Sequence, residues 1–244
     1  MSEWFVDWFD SPYYHILYKS RSDKEAALFI DNLEKKMGFE TKKLFCDMAC
    51  GKGRHAIYLN KKGYEVFGLD LSKNNIKIAK EQENKTLHFY VHDIRKTFKN
   101  NFFDVVLNLF TSFGYFENNL ENQSAIQAIG KSIKPNGILI LDYMNSRKAI
   151  EEFNTQYEKE VDGIQFQISK KIEKGYIYKH ISFKIKEKIF DFEERVKLLF
   201  FADFKTFFQN SGLQIEQIFG NYDLEPFNEN TSDRMIMVCK KIAE

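Results

Sequence analysis

The sequence predicts an α/β fold built on a mostly parallel sheet with helices on both faces, interrupted late in the chain by an antiparallel β insertion. Three observations predict it. Between residues 43 and 144, strand-like apolar runs alternate with helical patterns. The runs are nearly continuous in apolar residues, as strands buried on both faces are. After about residue 147 the pattern becomes long period-two alternation with short turns, which reads as antiparallel strands with one covered face.

The elements follow in order. Trp4, Phe5, Trp8 and Phe9 recur at i and i+4, an apolar stripe docked on the core or a lid over a site. Residues 24–37 form a helix with Ala27, Leu28, Ile30, Leu33 and Met37 on its stripe, stopped by Gly38. "KLFCDM" is a buried strand, "RHAIYLNKKG" a helix, "YEVFGLD" a second strand, "KNNIKIAKEQEN" a second helix and "TLHFYVHD" a third strand. "NFFDVVLNLF" is a fourth strand, "LENQSAIQAIGKSIKPNG" a helix closed by Pro135-Asn136-Gly137, and "ILILDYM" a fifth strand. In the insertion, Ile164, Phe166 and Ile168 share a face, as do Ile181, Phe183 and Ile185, and Phe190, Phe192, Val196 and Leu198. "ADFKTFFQNSG" is a closing helix, and "LQIEQIFG" and "RMIMVCKK" are the closing strands. The expected divisions of this single domain are a helical cap over 1–40, a cofactor-binding core over 41–146, the insertion over 147–201 and the closing elements over 202–244.

Composition limits the function. The 244 residues carry a formal net charge of +1, so nothing electrostatic points to nucleic acid, and paired lysines read as solvated surface. Three cysteines, Cys46, Cys50 and Cys239, without a C-x-x-C pair, argue against a disulfide framework or a zinc site and fit a reduced, cytoplasmic setting. The acidic and aromatic start is unlike a secretory signal, and no apolar run of roughly 18 residues predicts a membrane span.

The chemistry concentrates in "LFCDMACGKGRHA", residues 44–56. The chain leaves a strand, turns through Gly51 and Gly53, and enters a helix whose free N–H groups favour a negative ligand group. Asp70 ends the second strand, where an acid accepts hydrogen bonds from both hydroxyls of a ribose, each worth roughly 1.5–3 kcal/mol. Asp93, after the third strand, could accept from an exocyclic purine amine, with Leu71 and Ile94 as apolar walls. These residues imply an adenosine-containing ligand at the carboxyl edge of the sheet. Gly51-Lys52-Gly53-Arg54-His55-Ala56 also matches the dinucleotide fingerprint G-x-G-x-x-A, so a nicotinamide-dependent oxidoreductase is the alternative. Asp47 within the strand, the segment ahead of the motif and the strand-loop-strand ending favour another adenosine cofactor.

With "DMACGKGRH", "GLDLS", "VHDI" and "NLFTSFGYF" in this order, the sequence resembles the class I S-adenosylmethionine-dependent methyltransferases over about residues 40–145 and 202–240. The resemblance implies a Rossmann-like seven-stranded sheet with an antiparallel last strand, and S-adenosyl-L-methionine as cofactor. It implies that Asp47, Ala49, Cys50, Gly51 and Gly53 surround the methionine part, with Arg54 and His55 at the helix start. It places Asp70 on the ribose, Leu71, Asp93 and Ile94 about the adenine, and Asn108 and Leu109 on the floor near the sulfonium. Tyr14 and Tyr18 in "YYHILY" match segments that close over the cofactor in small-molecule members. The absence of N-P-P-Y after the fourth strand argues against exocyclic base amines as acceptors. The expected reaction is direct in-line methyl transfer to an oxygen or nitrogen of a small molecule. A non-catalytic, cofactor-binding interaction protein is a second alternative.

Several residues carry two readings. Cys50 reads as a small residue packed under the cofactor rather than a nucleophile. His55 either packs the helix start or touches the cofactor. Tyr176, Tyr178 and His180 share one strand face, half-exposed or facing substrate. The general base is not assigned; Tyr14, Tyr143 and His180 are its candidates. The insertion's edge strands would also permit pairing with a second copy.

Overall fold

The computed structural model describes residues 4–19, 23–151, 153 and 155–242. Residues 1–3, the first of the acidic and aromatic start, lie outside the described residues. The chain begins with the short helices α1 (Trp4–Phe9) and α2 (Pro12–Leu17), then α3 (Asp23–Met37). The core alternates β1 (Leu44–Met48), α4 (Arg54–Lys61), β2 (Glu65–Asp70), α5 (Lys73–Ala79), β3 (Leu87–Val91), β4 (Phe103–Asn108), α6 (Asn119–Ser132) and β5 (Ile133–Met144). Next come α7 (Ser146–Glu151) and four insertion strands, β6 (Gln156–Val161), β7 (Ile164–Glu173), β8 (Tyr176–Ile185) and β9 (Lys188–Lys197). The chain closes with α8 (Phe201–Gln209), β10 (Leu213–Phe219) and β11 (Arg234–Lys241).

Seven strands form one sheet in the order β10-β11-β5-β4-β1-β2-β3. β1 runs parallel to β2 and β4, β2 to β3, and β4 to β5, while β11 runs antiparallel to both its neighbours. The apolar runs are buried on both faces as the sequence predicts. One face, with Val106, Leu139 and Met237, packs on α6 and α8; the other, with Val66, Leu107 and Ile140, packs on α3 and α4. The four insertion strands form a separate antiparallel meander. Its covered face carries Phe166, Ile168, Ile181 and Phe183, buried with Trp8 and Leu17 of the N-terminal helices. Among the described residues no helix is long and apolar enough to cross a membrane.

Several elements differ from the expectation. On α3 the buried residues are Ala26, Phe29, Ile30 and Leu33, and Leu28 is exposed. The stripe is rotated because Phe29 packs edge-on against Phe110 and tilted against Tyr222, contacts from distant segments. The helix before the fifth strand stops at Ser132, ahead of Pro135, because a residue preceding proline is disfavoured in the α region. Strand β6 is missing from the sequence reading. Its run "QYEKEV" is an edge strand with alternating charge and little apolar signal.

Gly53 shows how tightly the first loop is packed. Its φ of +84° is left-handed, and a Cβ there would lie 2.6 Å from the Phe89 ring, which is wholly buried in β3. Backbone strain and overpacking act together. Gly53→Ala is therefore expected to destabilise the fold by about 1–3 kcal/mol, read as a lowered urea midpoint with an unchanged slope.

Candidate functional site

The parallel strands β1, β2 and β4 end together, and their following loops enclose a cavity of about 350 Å³ at the carboxyl edge. Asp47, Ala49, Cys50, Gly51, Arg54 and His55 line it from the first loop. Asp70 and Leu71 line it from the second, Asp93 and Ile94 from the third, and Leu109 from the fourth. Tyr14 and Tyr18 enter from above. Ligands of open α/β sheets bind at this edge.

The loop geometry explains the polar residues. Asp70 accepts the Gly51 N–H on one oxygen and the Ser72 N–H on the other, each at 2.8 Å, so one acid fixes both loop and following helix. Ser72 caps α5 by accepting the Asn75 N–H at 3.0 Å. Asp47 and His55 are buried 4.0 Å apart. Asp47 Oδ2 and His55 Nε2 have no hydrogen-bond partner among the described residues. Burial pushes the Asp47 carboxyl up to about 7, against the Ala56 N–H and the Arg54 charge. Burial also holds His55 down at about 3, helped by Arg54. Cys50 is buried and its thiol is pushed well up by burial, as for a packing residue and not a nucleophile.

Two expected lining residues are elsewhere. Gly53 packs on Phe89 instead of facing the cavity. Asn108 is wholly buried behind the wall and donates to the Met48 and Ser112 carbonyls at 3.0 and 3.3 Å, joining the ends of β1 and β4. Asp93 reaches the cavity, but both its oxygens accept from Arg95. Although burial raises it, the Arg95 bonds bring its carboxyl below the usual carboxylate range. Any ligand bond to Asp93 is therefore shared with Arg95.

A second cavity of about 390 Å³ lies between this site and the insertion. Phe9, Tyr14, Tyr18, Phe110 and Tyr115 line both cavities. Phe110 and Thr111 each have a φ of +57°. Such a pair is held only where the surroundings over-determine it, at about 1–3 kcal/mol per residue. The buried Asp142 does this. It accepts the Phe110 N–H at 2.7 Å and Arg234 at 2.8 Å, and Arg234 donates on to Thr111 Oγ1 at 2.8 Å. The Phe110 ring then stacks on His55 with centroids 5.1 Å apart, under the Arg54 guanidinium.

From the insertion, the inner end of the sheet presents Lys170, Ile177, Lys179, Glu194 and Val196 to the second cavity. The face of Tyr176, Tyr178 and His180, read as half-exposed or facing substrate, points away from this cavity. Tyr176 donates to the Glu117 carbonyl at 2.8 Å, and His180 is exposed beside Asp191 at 3.4 Å. Tyr143 is also removed as a base candidate, because it is fully buried and donates to the Lys197 carbonyl at 2.5 Å. The parity of β8 puts Lys179 with Ile177 and Ile181, which was legible in the sequence. A lone acid in "ILILDYM" likewise signals Asp142.

A carboxyl-edge cavity floored by a glycine turn, with an acid after the second strand and an antiparallel closing strand, defines a Rossmann-like fold with a candidate nucleotide-cofactor site. Residues 46–141 match the family model described as "Methyltransferase domain" (Methyltransf_11). The "Putative methyltransferase YqeM" of Bacillus subtilis (strain 168) is 32% identical over 110 residues, 44% of this chain and 44% of that protein. The chain thus matches less than half the length of that curated relative. An S-adenosylmethionine-dependent methyltransferase structure from Clostridium acetobutylicum ATCC 824 superposes with a TM-score of 0.80 at 18% identity, over 95% of this chain and 96% of that one. CalS10, an amino pentose methyltransferase from Micromonospora echinaspora solved with S-adenosylmethionine bound, superposes with a TM-score of 0.72 at 17% identity, over 95% and 97%. The fold is that of these S-adenosylmethionine-dependent methyltransferase structures, and residues 46–141 are similar to the methyltransferase domain model.

The two buried titratable groups give opposite pH dependences. Between about pH 4 and 7, native Asp47 keeps a proton that the unfolded chain has released, so its contribution to stability falls as pH rises. Between about pH 6.5 and 3, the unfolded chain's histidine binds a proton that native His55 does not, so its contribution falls as pH drops. Asp47→Asn should leave stability falling with acidification below about pH 6.5. His55→Gln should leave it falling as pH rises from about 4 to 7. Urea midpoints measured across this range for both variants check the signs.

Proposed function

We propose that the chain transfers a methyl group from S-adenosyl-L-methionine, held in the first cavity, to an oxygen or nitrogen of a small molecule in the second. The observation that carries this reading is the wall of five aromatic residues common to the two cavities. The residues fit the cofactor. The unpartnered Asp47 Oδ2 suits an ammonium group, and the Gly51 turn leaves backbone open where a side chain would stand. Asp70 keeps acceptor capacity on both oxygens for ribose hydroxyls, while Leu71 and Ile94 offer apolar walls.

The cofactor supplies an already activated methyl group, so the chain's contribution is alignment and exclusion of water. Tyr14 and Phe110 line both cavities, and Leu109 lines the first. A base matters only for a hydroxyl or charged-amine acceptor; Tyr14 is the candidate that lines both cavities.

Calorimetry with S-adenosyl-L-methionine tests the reading, followed by release of S-adenosylhomocysteine over a panel of small hydroxyl and amine acceptors. Binding without turnover on any acceptor would favour the non-catalytic alternative. Asp70→Ala should weaken cofactor binding by about tenfold or more, the loss of charged hydrogen bonds to a ribose. Unchanged affinity would remove Asp70 from that role. Below about pH 7 the Asp47 proton must leave before the carboxylate can meet an ammonium. Affinity should therefore rise with pH up to about 7 and flatten above it, and Asp47→Asn should abolish the slope.

A further inference from the structure

We propose that the acceptor of the second cavity carries one negative charge, of the carboxylate class, seated on Lys170. The proposal deepens the methyltransferase reading and rests on it for the word acceptor. Lys170, Lys179 and Glu194 stand in register across β7, β8 and β9, forming a charged row on the otherwise apolar inner face of the insertion. The lining charges are three cations and one anion. Two of the cations are neutralised inside the protein. Arg234 is paired with the buried Asp142 at 2.8 Å. Lys179 lies 3.7 Å from Glu194 and donates to Tyr18 at 2.5 Å, while Tyr18 and Trp8 both donate to Glu194, at 2.7 and 2.6 Å. Glu194 is therefore engaged by two hydrogen-bond donors and the Lys179 ion pair and is not left to attract a cationic acceptor.

Lys170 remains. Its ammonium lies 5.2 Å from the centroid of the Tyr157 ring, with no carboxylate in ion-pair distance among the described residues. Its cross-strand neighbour is Lys179, and like charges directly opposite on one face repel. An anion beside Lys170 satisfies its donors and relieves that repulsion. A single net positive charge matches a carboxylate better than a doubly charged phosphate monoester. The aromatic walls Phe9, Tyr14, Tyr115 and Phe153 suit a flat, apolar body for the same molecule.

Two fluorescent dyes of nearly the same body test this without cofactor: anilinonaphthalene sulfonate, a monoanion, and the uncharged phenylnaphthylamine. The wild-type chain should bind the sulfonate about tenfold or more tightly than the neutral dye. Lys170→Met should remove that preference and Lys170→Arg should restore it. Lys171→Met, on the exposed face where Lys171 pairs with Glu173 at 2.9 Å, should change nothing. Equal affinity for the two dyes, an unchanged preference in Lys170→Met, or an equal loss in Lys171→Met overturns the proposal. Because the dyes need no cofactor, their result and the calorimetry of S-adenosyl-L-methionine fail independently.

Discussion

The buried carboxylate of Asp142 is the interaction on which the rest of the site depends. It stands wholly buried in β5, where an isolated charge would be prohibitive. It is tolerated because Arg234 from the antiparallel β11, the Phe110 N–H and the Tyr222 hydroxyl all donate to it. Three segments distant in sequence therefore converge on one side chain. Losing one member of such a pair costs about 3–5 kcal/mol, since the other is left buried and charged. The antiparallel closing strand is thus more than an edge for the sheet. It brings in the cation that lets the loop after β4 hold its left-handed turn.

From that anchor the site assembles outward. Phe110 is pinned at the junction, and Arg54 and His55 pack against its ring, which joins the helix start of the first loop to the end of β4. Asn108 links the same two strands from behind through the Met48 and Ser112 carbonyls. The residues that touch the cavity are held by residues that do not, so a reading confined to the lining misses half of the design.

The parallel core was legible because its strands are buried on both faces and its helices begin and end on strong local signals. The glycine turn, Asp70 and Asp47 stood out for the same reason: their chemistry is local. Phe110 and the Asp142–Arg234 pair were not legible as a unit, because Phe110 lies 32 residues and Arg234 92 residues from Asp142, and left-handed φ at Phe110 and Thr111 has no glycine to announce it. Gly53 was read as a ligand contact, yet its neighbour is Phe89, thirty-six residues on, which spacing alone does not reveal. In the insertion, alternation was read correctly, and of the two readings for the face of Tyr176, Tyr178 and His180 the half-exposed one holds, while Lys179 on the opposite face was passed over. Tyrosines and a histidine look more chemical than a lysine among isoleucines, although the lysine is on the covered face.

The N-terminal segment ends up holding both halves of the molecule at once. Asp10 accepts from Ser72 and Asn74 beside the cofactor-side cavity, and His15 meets Asn75 at 2.9 Å. A few residues away, Trp8 and Tyr18 grip Glu194, and Lys159 reaches the Leu17 carbonyl at 3.0 Å. One short stretch of chain is thus bonded to the walls of both chambers. A ligand in one chamber can change affinity in the other only by shifting this stretch, and thermodynamic reciprocity then requires the same factor in both directions.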